Sequence, residues 1–123
     1  MPRTILVVDD LPSNALLLED RLTEAGFEVV VALSGEECLA KVAHNPPNLV
    51  LLDVMMPGLD GAEVCRRIKS NIITAHVPVV IVTALNLDSA REATVQAGAD
   101  GFFIKPMNDE TLFFCVRKFL RAS

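Results

Sequence analysis

Five short apolar runs punctuate the chain at near-regular intervals, at residues 5–8, 29–32, 49–52, 79–82 and 102–104. Each is built from Val, Ile, Leu, Ala or Phe without polar alternation, the pattern of parallel strands covered on both faces. The stretches between them carry apolar residues at helical spacing instead: Leu16, Leu17 and Leu22; Cys38, Leu39 and Val42; Val64, Cys65 and Ile68; Ala90, Ala93, Val95 and Ala97; then Leu112, Val116 and Phe119. Punctuation supports the division. Pro12 suits the first turn of a helix, Gly26 and Gly98 suit C-terminal caps, and Ser34, Asp60, Asp88 and Asp109 stand where N-caps belong. Strand and helix thus alternate five times, at about 25 residues per unit, short enough for tight right-handed crossovers. The longest irregular stretch, residues 71–77, ends at Pro78 and reads as a surface connection.

The fold that meets these conditions is α/β: a flavodoxin-like, doubly wound, five-stranded parallel sheet of order 2-1-3-4-5. At 123 residues it is one domain. Hydrophobic residues make up 51% of the chain against 22% charged, which excludes a disordered chain. The net charge of −5 has the wrong sign for a protein that grips phosphate backbones, so no direct nucleic-acid partner is expected. No apolar run approaches the ~18 residues of a membrane span, and Arg3 leads straight into the first run without a cleavage pattern, so a soluble, cytoplasmic protein is expected. Cys38, Cys65 and Cys115 are odd in number and lie among apolar neighbours, which reads as reduced packing residues. His44 and His76 are isolated and read as loop histidines.

In an open parallel sheet, ligands gather beyond the carboxyl ends of the strands. The first run ends in Asp9-Asp10, the third in Asp53, the fourth in Thr83 and the fifth in Lys105-Pro106, whereas the second, an edge strand, ends without charge. Singly, each has a bland reading: Asp9-Asp10 as a helix cap, Asp53 as a turn residue before Pro57-Gly58, Thr83 as a β-branched strand residue, Lys105 as surface charge. Together, the four central ends place three carboxylates, a hydroxyl and an ammonium in one crevice. Close carboxylates repel unless a cation joins them. Hard oxygen donors without nearby Cys or His suit Mg²⁺, and a fixed ammonium opposite favours an incoming phosphoryl group attacked in line by a carboxylate oxygen.

These residues resemble the response-regulator receiver (CheY-like) domain over the whole chain, 1–123. The resemblance rests on Ile5-Leu6-Val7-Val8-Asp9-Asp10, on Leu51-Leu52-Asp53-Val54-Met55-Met56-Pro57-Gly58-Leu59-Asp60-Gly61, on Pro78-Val79-Val80-Ile81-Val82-Thr83-Ala84, on Gly98-Ala99-Asp100 and on Lys105-Pro106. In texture, Val64-Cys65-Arg66-Arg67-Ile68-Lys69 and Lys105-Pro106-Met107-Asn108-Asp109 are similar to the first receiver of PleD-type diguanylate cyclase regulators. The resemblance implies a two-component switch in which Asp53 accepts a phosphoryl group from a histidine kinase or histidine phosphotransfer protein. It implies Mg²⁺ held by Asp10, Asp53 and the Met55 carbonyl, with Asp9 acting through metal-bound water. Lys105 then holds phosphoryl oxygens, Thr83 reaches the phosphate on activation, and a cis bond precedes Pro106. Such a domain catalyses only its own phosphorylation and slow dephosphorylation and is otherwise no enzyme.

Four positions depart from the family pattern or extend it. The aromatic residue of the last strand is Phe102 rather than a tyrosine, so its rotamer switch carries no hydroxyl. Met55 and Leu85, two past Asp53 and Thr83, cannot orient water by hydrogen bonds, which implies a long-lived phosphoaspartate. On the last helix Phe114 falls opposite the apolar stripe, among Arg117, Lys118 and Arg121, and marks a candidate homodimer face formed with the fourth helix and fifth strand. The rival readings are a Mg²⁺-dependent phosphohydrolase with an aspartyl nucleophile, which wants Asp-X-Asp where Asp53 is followed by Val54-Met55, and a flavin or nucleotide carrier, which wants a Gly-rich loop after the first strand.

Overall fold

A computed structural model describes residues 3–54, 56, 58, 60–84 and 88–121. Met55, Leu85 and Ser123 therefore lie outside the described residues, and so do the expectations placed on them. The order is β1 (Thr4–Val8), α1 (Pro12–Glu24), β2 (Glu28–Ala32), α2 (Gly35–His44), β3 (Leu49–Leu52), α3 (Gly61–Ser70), β4 (Val79–Thr83), α4 (Asp88–Gln96), β5 (Gly101–Ile104) and α5 (Asp109–Arg121). All pairings are parallel, in the expected order β2-β1-β3-β4-β5.

Strand alternation divides the core in two. Leu6, Val8, Val50, Leu52, Val79 and Ile81 face α2 and α3 through Cys38, Val42, Val64 and Ile68. Ile5, Val7, Leu49, Leu51, Val80 and Val82 face α1 and α5 through Leu18, Leu22, Leu112 and Val116. Of the three central strands, β3 and β4 are therefore buried throughout and β1 at every residue but Thr4. β2 and β5 are only partly covered, because an edge strand has a neighbour on one side alone.

Local signals behave largely as their chemistry directs. Pro12 opens α1, Ser34 accepts the Glu37 amide at 3.0 Å, Asp60 accepts the Glu63 amide at 2.9 Å, and Gly26 and Gly98 adopt φ of 98° and 93° just past their helices. Two caps differ from expectation. Asp109 sits inside the first turn of α5, and Asn108 caps it by accepting the Thr111 amide at 2.8 Å; Asp88 likewise opens α4 rather than preceding it. His44 ends α2 instead of lying in a loop.

The base of the sheet, away from the strand ends that carry charge, is stitched by side chains. Asn48 and Thr4 exchange two hydrogen bonds of 2.8 Å, and Asp100 and Val79 do the same. Lys69, from the last turn of α3, donates to Val77 O at 2.7 Å and Ala75 O at 3.2 Å, and meets Asp100 Oδ2 at 2.8 Å. The Lys69 bonds satisfy two carbonyls of residues 71–77, a stretch that turns tightly and presents Ile72 and Ile73 to solvent.

All three cysteines are buried and free. Burial pushes the thiols up, Cys38 and Cys115 to about 12 and Cys65 to about 11, so the reactive thiolate is scarce at neutral pH. In the native protein, a disulfide reagent at pH 8 should therefore modify none of them on a minutes timescale, and all three on addition of denaturant. Rapid native modification of any one would contradict this packing.

Candidate functional site

The parallel ladder itself assembles the crevice. Past the end of β1, the Asp9 amide donates to Ala32 O at 3.1 Å; past β3, the Asp53 amide donates to Val8 O at 3.0 Å; past β5, the Lys105 amide donates to Thr83 O at 2.8 Å. Each of these three residues is thus the first to leave the sheet while its backbone is still held by it. Asp9 is 1% exposed, Asp53 9% and Thr83 fully buried.

The side chains then converge on one ammonium. Lys105 Nζ donates to Asp9 Oδ2 at 2.6 Å and to Asp53 Oδ2 at 3.2 Å. Burial by itself lowers the Lys105 pKa. The hydrogen bond to Asp9, the charges of Asp53 and Asp9 and the bond to Asp53 outweigh it, and the ammonium is held above its ordinary range. The bland reading of Asp9-Asp10 as a helix cap does not hold. The N-cap of α1 is Leu11, which offers no side-chain bond, and Asp9 Oδ1 takes the Leu11 amide at 3.0 Å while its other oxygen serves Lys105.

Asp10 follows at the bend, half-buried, and among the described residues Lys105 pairs with Asp9 and Asp53 but not with it. Nor, among those residues, do three acidic, histidine or cysteine side chains close around one point as a ready metal cage. The donor chemistry nevertheless fits a hard divalent cation: carboxylate oxygens only, in a crevice where the ammonium already offsets the repulsion between Asp9 and Asp53. The described cysteines lie in the apolar core, away from this chemistry.

Around this centre, Thr83 and Phe102 are diagonal neighbours on one face of the sheet, since Ile81 pairs with Phe102 and Thr83 with Ile104. The Phe102 ring is half-buried, and the Arg91 guanidinium of α4 lies 5.4 Å from its centroid. The Lys105-Pro106 bond is cis, as expected. Gly61 brings the start of α3 so close that a Cβ there would stand 2.6 Å from Asp53 O and 2.7 Å from Val54 Cα. Neither Arg91 nor Arg21, which reaches from α1 to Asp109 and Met107, was marked by any local pattern.

Residues 5–117 match the response regulator receiver domain family. The chain is 46% identical over 121 residues to the response regulator PleD of Caulobacter vibrioides, a match covering 98% of this chain and 27% of PleD, so it spans about a quarter of that relative. A putative response regulator from Chloroflexus aurantiacus J-10-fl superposes with a TM-score of 0.92 at 37% identity, covering 98% of this chain and 99% of that one. The receiver domain of the sensor histidine kinase PA1611 from Pseudomonas aeruginosa PAO1, solved with a magnesium ion coordinated in its active-site cleft, superposes with a TM-score of 0.91 at 26% identity, covering 98% and 99%. No helix among the described residues is long and apolar enough to cross a membrane.

Two outcomes follow from this geometry. Because the folded-state pKa of Lys105 is raised, its pairing contributes fully below the unfolded lysine value of about 10.4 and is lost as pH rises through the higher folded value. Melting temperature should therefore fall more steeply as pH rises above about 10 in the unaltered, metal-free protein than in Lys105→Met. Gly61→Ala should lower stability by about 1–3 kcal/mol in denaturant titrations, because backbone atoms of Asp53 and Val54 must move to admit the methyl group.

Proposed function

This chain belongs to the response regulator receiver domain family of two-component signalling, and from that premise we propose that it is a switch set by phosphorylation of Asp53. The observation that carries the reading is the shared ammonium: Lys105 sits between the nearly buried carboxylates of Asp9 and Asp53, at 2.6 and 3.2 Å. A carboxylate so placed is a nucleophile with a counter-charge beside it. One Asp53 oxygen forms the bond to phosphorus as the bond from phosphorus to the donor's leaving group breaks. Lys105 moves its hydrogen bonds from the Asp53 carboxylate to the oxygens of the transferred group.

Asp9, Asp10 and Asp53 offer the donors for Mg²⁺, with the Met55 carbonyl as a further ligand; when bound, the ion supplies neutralisation of phosphoryl charge. The PA1611 receiver, with magnesium in its cleft, supports extending this to the present chain. The donor in this reading is a histidine kinase or histidine phosphotransfer protein, and the chain's catalysis is confined to its own phosphorylation and slow dephosphorylation. Thr83, buried beside the crevice, carries the response by turning its hydroxyl toward the phosphoryl group, and Phe102 fills the vacated space. The output face comprises α4, β5 and α5, where Phe114 is 55% exposed and Val95 62% exposed, and a second copy is its proposed occupant.

Incubation with acetyl phosphate and Mg²⁺ should add one phosphoryl group by intact mass, absent in Asp53→Asn and strongly reduced in Asp10→Asn or with a chelator. An adduct that survives in Asp53→Asn would place the acceptor elsewhere. Thr83→Ala should still be phosphorylated, while beryllofluoride-induced amide shifts on α4, β5 and α5 shrink to the crevice alone. Undiminished shifts on that face would remove Thr83 from the switch.

A further inference from the structure

Lys105 reaches both carboxylates from a segment that the sheet holds on one side only. Its amide is bonded to Thr83 O at 2.8 Å, but β5 ends at Ile104 and the chain then crosses Pro106 and Met107 before α5 begins. Met107 packs in part against the α1/α5 side of the core, while Pro106 is exposed. A groove of about 330 Å³ lies beneath this crossing, lined by Leu17, Leu18, Arg21, Val82, Lys105 and Met107, so the segment has room to sink toward α1.

Arg21 spans the groove. Its Nε donates to Asp109 Oδ1 at 2.6 Å and its Nη2 to Met107 O at 3.1 Å, so one guanidinium holds both the residue two past Lys105 and the first residue of α5. The base of the strut is rigid, since Ala15, Leu18 and Leu22 bury α1 against the sheet. Planar guanidinium geometry fixes two acceptors at once, which a lysine ammonium at this position would not. The ion pair contributes little stability, because the Asp109 side chain is 70% exposed. What it fixes is position.

We infer that Arg21 is a positioning residue for Lys105: by tying Met107 O and Asp109 to α1, it holds the ammonium between Asp9 and Asp53 at the distance that phosphoryl transfer to Asp53 requires. The inference rests on Asp53 as the acceptor. Arg21 itself touches neither carboxylate, and its charge is matched by Asp109, so its influence runs through the backbone of residues 105–107.

The test is a double-mutant cycle, with adduct formation from acetyl phosphate and Mg²⁺ followed by intact mass over hours so that slow variants remain measurable. Arg21→Gln should slow the reaction at Asp53 about three- to tenfold with a nearly unchanged melting temperature, and Arg21→Lys, still able to donate to Met107 O, should recover part of the loss. In the Lys105→Ala background, Arg21→Gln should cost nothing further. Amide hydrogen exchange should rise at Lys105 and at residues 107–109 in Arg21→Gln and stay unchanged in β1 and β3. An unaltered rate in Arg21→Gln, or the same fold loss with Lys105 absent, would overturn the inference; the latter would mean direct attraction of the donor by the guanidinium. Absence of any Asp53 adduct in the unaltered protein would instead overturn the acceptor assignment, and is told apart because the exchange change in residues 105–109 would persist.

Discussion

Burial of both faces of β1, β3 and β4 is the constraint from which the rest of the molecule follows. A strand covered on both sides has no place for a charge along its length. Polar chemistry is confined to the strand ends, and parallel pairing brings all the exits to the same edge. The candidate crevice is therefore not an addition to the fold. It is the end of the sheet at which Asp9, Asp53, Thr83 and Lys105 meet while ladder bonds still hold their backbones.

Within that crevice, charge compensation decides the arrangement. Two nearly buried carboxylates so close together are costly without a cation, and Lys105 provides one from the far side of the sheet. The same pairing explains why Asp9 does not cap α1: its two oxygens are committed to the Leu11 amide and to Lys105. It also sets apart Asp10, which follows in sequence but lies outside the ion-pair pattern.

How much of this was legible in the sequence depends on the range of the physics involved. Strand and helix positions could be read because each rests on a local period, and the strand-end residues because fold geometry makes their convergence predictable. Phe114 was legible as exposed because angular position on a helix needs only 100° per residue. Asn108 rather than Asp109 as the cap of α5 is a one-residue ambiguity between two good capping types. Arg21, Lys69 and Arg91 were not legible. Each acts through a partner brought close only by the finished fold, such as Asp109 at a separation of 88 residues from Arg21, and no local pattern distinguishes such a base from a solvated one.

The two ends of the sheet are built differently, and this has a mechanical consequence. At the base, Asn48, Asp100 and Lys69 lace strand entries, α3 and the connection before β4 with bonds that involve no exchangeable ligand. At the opposite end, beyond the ladder bonds that hold each exit's backbone, the side chains past β1 and β3 are joined to that past β5 through the one Lys105 ammonium. Such a body is clamped at one end and compliant at the other. Displacement should then grow with height above Lys69, so that a sub-ångström change in the crevice is felt most by the helix ends and loops level with it and least by the base of α3.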